Sequence, residues 1–547
     1  MLLLPDGRSL AVLPTCDGDV MSWLSCKNGE FILNTGTFGK GSVSGAMSIC
    51  SWAVAESGWQ AAKKVWELCF ADEKIGNNIL PLAQKHYPEM YKYLGWCSWE
   101  EFKKDIDQDK LTGLIAEMEK SKVPVRYVLI DDGYLTEEND QLIGVEPDAE
   151  KFPDGWQAIM NSRKTDKIKW MGLWLNFNGY WNGIHPDNNL DIAPHLEKLS
   201  FNKIWTVDEE LDGLMPGAAP EAPEMFYRKV VGYAKESGFS FVKVDNQARN
   251  IRLYANTDYP VSRSLNTALA LEKVCDESGM GLSNCMAHNS IRTFSTRSCS
   301  VTRCSEDYEM GVPVVAKQHL YNSYSNMLWL GHTVWGDHDM FHSSDPVSGK
   351  MMAVSKAMSG APVYLSDPPA DFISEFISPL CFEDGELLRP LAPAVSLEDS
   401  IFINPFNDNK PYRVAAPLPR SAAAVVVYNL TNPETEVTGV VRFDDLTSAL
   451  SLYNPDVQND FDEGIIAYDW YAQTAIKLMP GEVHEFSMPE FSDRLFILLP
   501  IIDGISVIGD PEKYLSPCAI ASVDGDNITM KNSAKCLIWK QGELSTI

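Results

Sequence analysis

Eight short apolar runs in the middle of the chain constrain its fold more than any other feature. They span 93–96, 126–130, 170–176, 241–244, 281–285, 301–304, 333–336 and 362–365. Such runs are expected of strands buried on both faces of a parallel sheet. Helical spacing lies between several of them. After the first, Leu111, Leu114, Ile115 and Met118 recur at i, i+3, i+4 and i+7, and before the fourth Phe226, Val230 and Tyr233 do much the same. Eight strands joined by crossovers predict an α/β architecture, a (β/α)8 TIM barrel over residues 90–392. The rival is an open doubly wound sheet. It is disfavoured by the count and by the lack of any GxGxxG or GxxxxGK[ST] fingerprint.

The flanks read differently. Residues 1–52 mix short apolar stretches with Gly, Asn and Asp, which predicts β structure with tight turns. Residues 57–72 predict a helix with Trp59, Val65, Trp66 and Cys69 near one face. Together 1–89 form a small N-terminal β region with a lead-in helix. From 393 to 547 the pattern is β-like, with turn signals at 432–435, 479–482 and 524–527. It predicts an antiparallel β-sandwich, whose expected role is packing against the barrel.

Composition then narrows the partners. Asp and Glu number 75 against 46 Lys and Arg, a net charge of −29, and no dense basic cluster occurs. That argues against nucleic acid and against an anionic membrane surface. No apolar run approaches the length of a membrane span. The 12 cysteines include no CxxC pair, and they read as small buried hydrophobes in a reducing compartment. The start, MLLLPDGRSL, lacks the basic region of a secretory signal. The expectation is a cytoplasmic protein with an uncharged small-molecule partner and an open oligomeric state.

In a barrel the chemistry sits at the carboxyl ends of the strands. Those ends here carry Trp96 to Trp99, Asp131 and Asp132, Tyr180 and Trp181, Lys243 and Asp245, Cys285 and His288, Arg303 to Asp307, Asp337 to Asp339, and Asp367. Carboxylates and aromatic rings at one end of nearly every strand suit a sugar, whose hydroxyls donate to carboxylates. Glycoside cleavage needs two carboxyl groups, one ionised and one protonated. Asp245 is the first candidate, with Lys243 on the same face of its strand. The second is Asp307, or its neighbour Glu306, near Arg303. Taken alone, a structural ion pair between Asp245 and Lys243 is an equal alternative. The Asp131-Asp132-Gly133 stretch on its own reads as a turn.

These stretches together resemble glycoside hydrolase family 36, in its branch of raffinose synthases and seed-imbibition-type alkaline α-galactosidases. The matching pieces are LGWCSWEEF, VLIDDGY, GLWLNFNGYWNGI, FVKVDNQ, NCMAHN, RCSEDY, DHDMFHSSDP and APVYLSD, in family order across the barrel. The resemblance implies a retaining double displacement on α-galactosides. Asp245 is then the nucleophile and Lys243 a sugar ligand. Asp307, four residues after Arg303, is the acid/base. Asp131 and Asp132 hold the galactose 4- and 6-hydroxyls, while Trp96 and Cys285 line the same subsite. Trp181 leans toward substrate binding. Tyr134, Glu306 and His338 depart from the usual residues of the branch. No cofactor and no metal are expected.

Hydrolysis of raffinose-type oligosaccharides is the reading favoured here, because a transferase must also organise an acceptor and suppress water. Galactosyl transfer is the alternative, since both share the first half-reaction. Two rivals stand further off. A metal-dependent barrel hydrolase would use His338, Asp339 and His342, yet it would lack the HxH expected on the first strand. A non-catalytic sugar-binding protein would have lost one of the two carboxylates, and both are present.

Overall fold

The computed structural model describes every residue except 207, 433–434, 454–460, 526 and 533–534. The turns expected at 432–435 and 524–527 fall partly outside the described residues. The turn at 479–482 closes by a hydrogen bond from the Glu482 amide to the Met479 carbonyl at 2.9 Å.

All eight apolar runs form strands: β1 (Leu94–Cys97), β2 (Tyr127–Ile130), β3 (Trp170–Asn176), β4 (Phe241–Asp245), β5 (Gly281–Asn284), β6 (Val301–Arg303), β7 (Trp335–Asp337) and β8 (Val363–Leu365). They make one eight-stranded sheet in which β1 to β7 lie side by side in sequence order and β8 returns beside β1. Every ladder is parallel. The remaining seam, between β7 and β8, is crossed just beyond β7 by a parallel bridge from Phe341 to Leu365. There the Phe341 amide donates to the Tyr364 carbonyl at 3.3 Å and the Ser366 amide to the Phe341 carbonyl at 2.9 Å. An open doubly wound sheet reverses its strand order; this one does not, so the barrel expectation holds.

The amino end of the barrel is plugged by rings. Tyr91, Tyr127 and Phe241 meet edge to face, with centroids 5.3 to 6.2 Å apart. Two glycines make room for them: a Cβ on Gly95 would stand 2.0 Å from the Tyr127 ring, and one on Gly172 2.1 Å from the Phe241 ring.

Helices surround the strands. The first, α1 (Gly58–Ala71), precedes the barrel and buries Trp59, Val65, Trp66 and Cys69 as expected. Its first turn is held from across the molecule, where Glu398 accepts from the Gly58 and Trp59 amides at 3.0 Å each, a favourable place for an anion. After β1, α2 (Gln108–Lys120) buries Leu111, Leu114, Ile115 and Met118. Asp107 caps it, accepting from the Lys110 amide at 2.8 Å. The longer ones that follow are α3 (Glu221–Glu236), α4 (Pro260–Ser278), α5 (Pro313–Ser325) and α6 (Gly349–Ser359), and a short helix, Trp156–Ser162, stands between β2 and β3. Two hairpins absent from the sequence reading stand between strands: Leu135–Glu138 with Gln141–Pro147 after β2, and Leu196–Asn202 with Glu210–Pro216 after β3.

The N-terminal stretch forms two three-stranded antiparallel sheets. The C-terminal stretch centres on a six-stranded antiparallel sheet that includes β9 (Tyr412–Leu418) and β10 (Ala422–Tyr428). All seven residues of β10 are buried. Ala423, Val425 and Val427 face a layer made by the Val437–Arg442 and Val483–Met488 pair and the helix Asp444–Ser451. Ala422, Ala424, Val426 and Tyr428 join the core of the barrel itself. Alternation of the strand thus feeds two hydrophobic layers. Smaller antiparallel sheets follow to the end.

Ten of the twelve cysteines are buried and all twelve are free thiols, consistent with the reading as small apolar fillers. No helix among the described residues is long and apolar enough to cross a membrane.

Candidate active site

At the carboxyl ends of the strands lies a cavity of about 820 Å³. Its walls include Asp131, Asp132, Trp181, Lys243, Asp245, Cys285, Arg303 and Asp307, eight of the expected site residues, brought together from β2 to β6 and the turns that follow them. Trp96 is the exception. On β1 it is Cys97 that meets Asp131, Sγ to Oδ2 at 3.4 Å, and alternation turns Trp96 to the other face. Its indole is fully buried and donates to the Asp367 carbonyl at 2.8 Å. Trp99, three residues on, lines the cavity instead.

The sequence reading put Lys243 beside Asp245. The structure pairs its ammonium with Asp131, Nζ to Oδ2 at 2.8 Å, both groups buried. Burial alone would lower the lysine's pKa; Asp131 above all holds it well above the usual value. Asp245 has other partners. The parallel register sets Trp174 opposite Lys243 and Asn176 opposite Asp245, and the Trp174 indole donates to Asp245 Oδ2 at 3.2 Å. The Asn246 amide donates to Oδ1 at 2.7 Å. Burial raises the Asp245 carboxyl, Lys243 opposes the rise, and Asp307 adds to it.

Asp132 accepts from the Tyr180 hydroxyl at 3.0 Å and from the Trp181 indole at 3.4 Å, with Lys104 Nζ at 3.7 Å. Burial pushes its carboxyl up to about 6, against the pull of Lys104 and helped by Asp131. Tyr134 stands outside the cavity; its hydroxyl donates to the Trp174 carbonyl at 2.9 Å.

On the opposite wall Arg303 is buried between two carboxylates, Asp339 at 2.8 Å and Asp307 at 2.8 Å. Asp339 is buried, whereas the Asp307 side chain is 62% exposed. Glu306 faces away from Arg303, and its carboxylate accepts from Asn322 of α5 at 2.6 Å. One further group steadies this wall by two bonds: His319 of α5 bonds the Glu306 carbonyl at 3.0 Å and the His338 carbonyl at 2.8 Å. At its other side α5 is tied to the C-terminal sheet, where the Tyr324 and Tyr428 hydroxyls meet at 2.9 Å and Lys317 donates to the Thr431 carbonyl at 2.9 Å.

Three non-glycine residues just past barrel strands have left-handed backbones: Asn246 (φ +65°), Met286 (φ +46°) and Asp339 (φ +68°). Strain of this kind gathers at functional sites. An aromatic row climbs out of the cavity. Trp174 and Trp181 have centroids 6.0 Å apart, and Trp181 and Trp205 5.2 Å. The guanidinium of Arg249 lies 4.1 Å over the Trp205 ring.

The residues weighed for a metal do not converge. His338 bonds Ser355 Oγ at 2.9 Å, His342 stacks on Tyr308, and Asp339 is taken by Arg303. Among the described residues no group of three or more His, Cys, Asp or Glu is arranged to hold a metal ion. His288 forms part of the cavity wall, its pKa lowered by burial.

Residues 71–163 and 147–430 match the family described as raffinose synthase or seed imbibition protein Sip1. The chain belongs to that family. Among curated members of similar sequence, a probable galactinol–sucrose galactosyltransferase 6 of Arabidopsis thaliana is 27% identical over 362 residues, covering 61% of this chain and 48% of its own. A stachyose synthase of Pisum sativum is 27% identical over 306 residues, covering 50% and 35%. The chain thus spans about half the length of the curated relatives it matches, or less. Among solved structures, a β-L-arabinopyranosidase of Geobacillus stearothermophilus, in complex with arabinose, superposes with a TM-score of 0.55 at 14% identity, covering 76% of this chain and 100% of that one. An α-galactosidase I of Mortierella vinacea gives 0.51 at 13%, covering 76% and 99%. At such identities the likeness speaks for the barrel fold alone. The raffinose synthase family is an enzyme family, and every residue named in the cavity wall lies within the matched stretch.

Proposed function

We propose that the chain catalyses retaining α-galactosyl transfer from an α-galactoside to a carbohydrate hydroxyl, with water as the competing acceptor. The observation that carries this reading is the cavity shared by Asp245 and Asp307, with Asp131, Asp132 and Lys243 in the same walls. The sequence alone favoured water as acceptor. The curated relatives, named for moving galactosyl groups from galactinol to sucrose and for making stachyose, support transfer.

In this reading Asp245 attacks the anomeric carbon as a carboxylate. Burial disfavours that charge, while Lys243, the Trp174 indole and the Asn246 amide favour it. Asp307 protonates the departing glycosidic oxygen, and a galactosyl ester forms on Asp245. Asp307 then takes the proton of the incoming hydroxyl, whose oxygen displaces Asp245 with net retention. To reach the glycosidic oxygen Asp307 swings away from Arg303, which holds it at 2.8 Å. Asp339 keeps Arg303 in place meanwhile. Asp131 and Asp132 accept from the galactose hydroxyls, charge-assisted bonds that select an axial 4-hydroxyl.

Product analysis tests the proposal, with galactinol or raffinose as donor, with and without sucrose or myo-inositol. Galactose joined to the added acceptor supports transfer. Free galactose alone means hydrolysis by the same machinery. Consumption of neither donor, nor of an aryl α-galactoside, rejects the substrate class.

A further inference from the structure

The row of indoles ends in a residue with no role so far. Trp205 sits in the turn of the hairpin formed by Leu196–Asn202 and Glu210–Pro216. It lines the cavity yet remains 54% exposed. Large apolar rings left open in a cavity wall are ready platforms for the C–H face of a ligand. Beside it Arg249, four residues beyond Asp245, stacks on its ring. The other cations of the cavity wall all have carboxylate partners: Lys243 has Asp131, Arg303 has Asp307 and Asp339, and Lys104 approaches Asp132. Among the described residues the Arg249 guanidinium has neither a hydrogen bond nor an ion pair, although Asp245 is near enough to act on its charge. Stacking fixes the plane of a guanidinium and leaves its N–H edges free to donate.

We propose that Trp205 and Arg249 form an outer subsite for a neutral polyhydroxylated ring, the sugar or cyclitol that leaves the donor and the one that accepts in transfer. The proposal rests on the galactosyl-transfer reading above. Position supports it: Trp174 bonds Asp245 and Trp181 bonds Asp132, so the inner indoles belong to the galactosyl pocket and Trp205 is the next step outward. Charge decides between a neutral and an anionic ligand. The cavity walls hold six carboxylates against four cations, an excess that repels anions. Hydroxyl oxygens accept from Arg249 without that penalty while the ring's C–H face lies on the indole.

The test joins binding to kinetics. Sucrose is titrated calorimetrically into the wild-type chain and into the Trp205→Ala, Trp205→Phe and Arg249→Gln variants, and each is assayed with raffinose and with α-galactosyl fluoride, whose leaving group has no ring. The expected result is sucrose binding weakened tenfold or more in Trp205→Ala, less in Arg249→Gln, and largely rescued in Trp205→Phe. Loss of kcat/KM on raffinose should exceed that on the fluoride at least tenfold. Sucrose affinity indifferent to Trp205, or equal losses on both donors, overturns the subsite. A wild-type chain that turns over neither donor but binds sucrose through Trp205 rejects the transfer reading and keeps the subsite.

Discussion

The two ends of the same barrel are built on opposite principles. Along β4, Phe241, Lys243 and Asp245 share one face and pass from the plug to the cavity in four residues. That is a climb of about 13 Å. At the amino end three rings interlock and glycines yield to them, and apolar burial stabilises the fold. At the carboxyl end the same strands bury charges that cost stability unless partnered. They carry the left-handed backbones of Asn246, Met286 and Asp339 as well. Stability and chemistry are thus separated along each strand, not between strands.

Substitutions at either end sharpen that contrast. The largest effect is expected from Asp245→Asn, which should lower turnover of raffinose by about 10³-fold or more. Its melting temperature should hold or rise, since a penalised buried charge is gone; retained turnover would remove Asp245 from its role. Next comes Asp307→Ala, with a loss of about 10² to 10⁴ on raffinose and a smaller one on α-galactosyl fluoride, which leaves without a proton. Equal losses on both donors would deny Asp307 the part of acid. Gly172→Ala acts at the other end. Its Cβ would strike the Phe241 ring, so urea unfolding should show a loss of about 1–3 kcal/mol, while KM on the surviving folded fraction stays the same.

The smallest effect concerns pH. Asp132 is pushed up to about 6 in the folded chain from an ordinary 3.8. Between those values the folded state keeps a proton that the unfolded state releases, so this group's contribution to stability falls as pH rises from about 4 to about 6 and is level above. Asp132→Asn should flatten that slope in urea titrations. In the wild type, galactose affinity should strengthen as pH passes 6 and the carboxyl ionises; affinity independent of pH there would argue against a hydroxyl ligand at Asp132.

Much of this was legible in the sequence because each barrel strand ends where its chemistry begins. The runs at 170–176 and 241–244 needed only their apolar length, and Asp245 and Arg303 followed from standing at strand ends. What escaped depended on direction in space. Trp96 and Cys97 are adjacent, and alternation gave the cavity side to the cysteine. Trp174 looked like one apolar residue among seven, and only the register with β4 brings its indole to Asp245. Asp339 was weighed with two histidines as a metal ligand; its true partner, Arg303, comes from a neighbouring strand. Trp205 and Arg249 lie in turns without periodicity and are joined only by the fold.

Helix α5 is a beam gripped along both sides. One side holds Glu306, next to Asp307, through His319 and Asn322; the other is fastened to β10 and the turn after it through Tyr324 and Lys317. Among the described residues none beyond 392 lines the cavity. Even so, a shift in the C-terminal sheet, more than a hundred residues away in sequence, would arrive at Asp307 as misalignment. The described residues of the sheet stand outside the cavity, yet they set the tolerance to which that wall is machined.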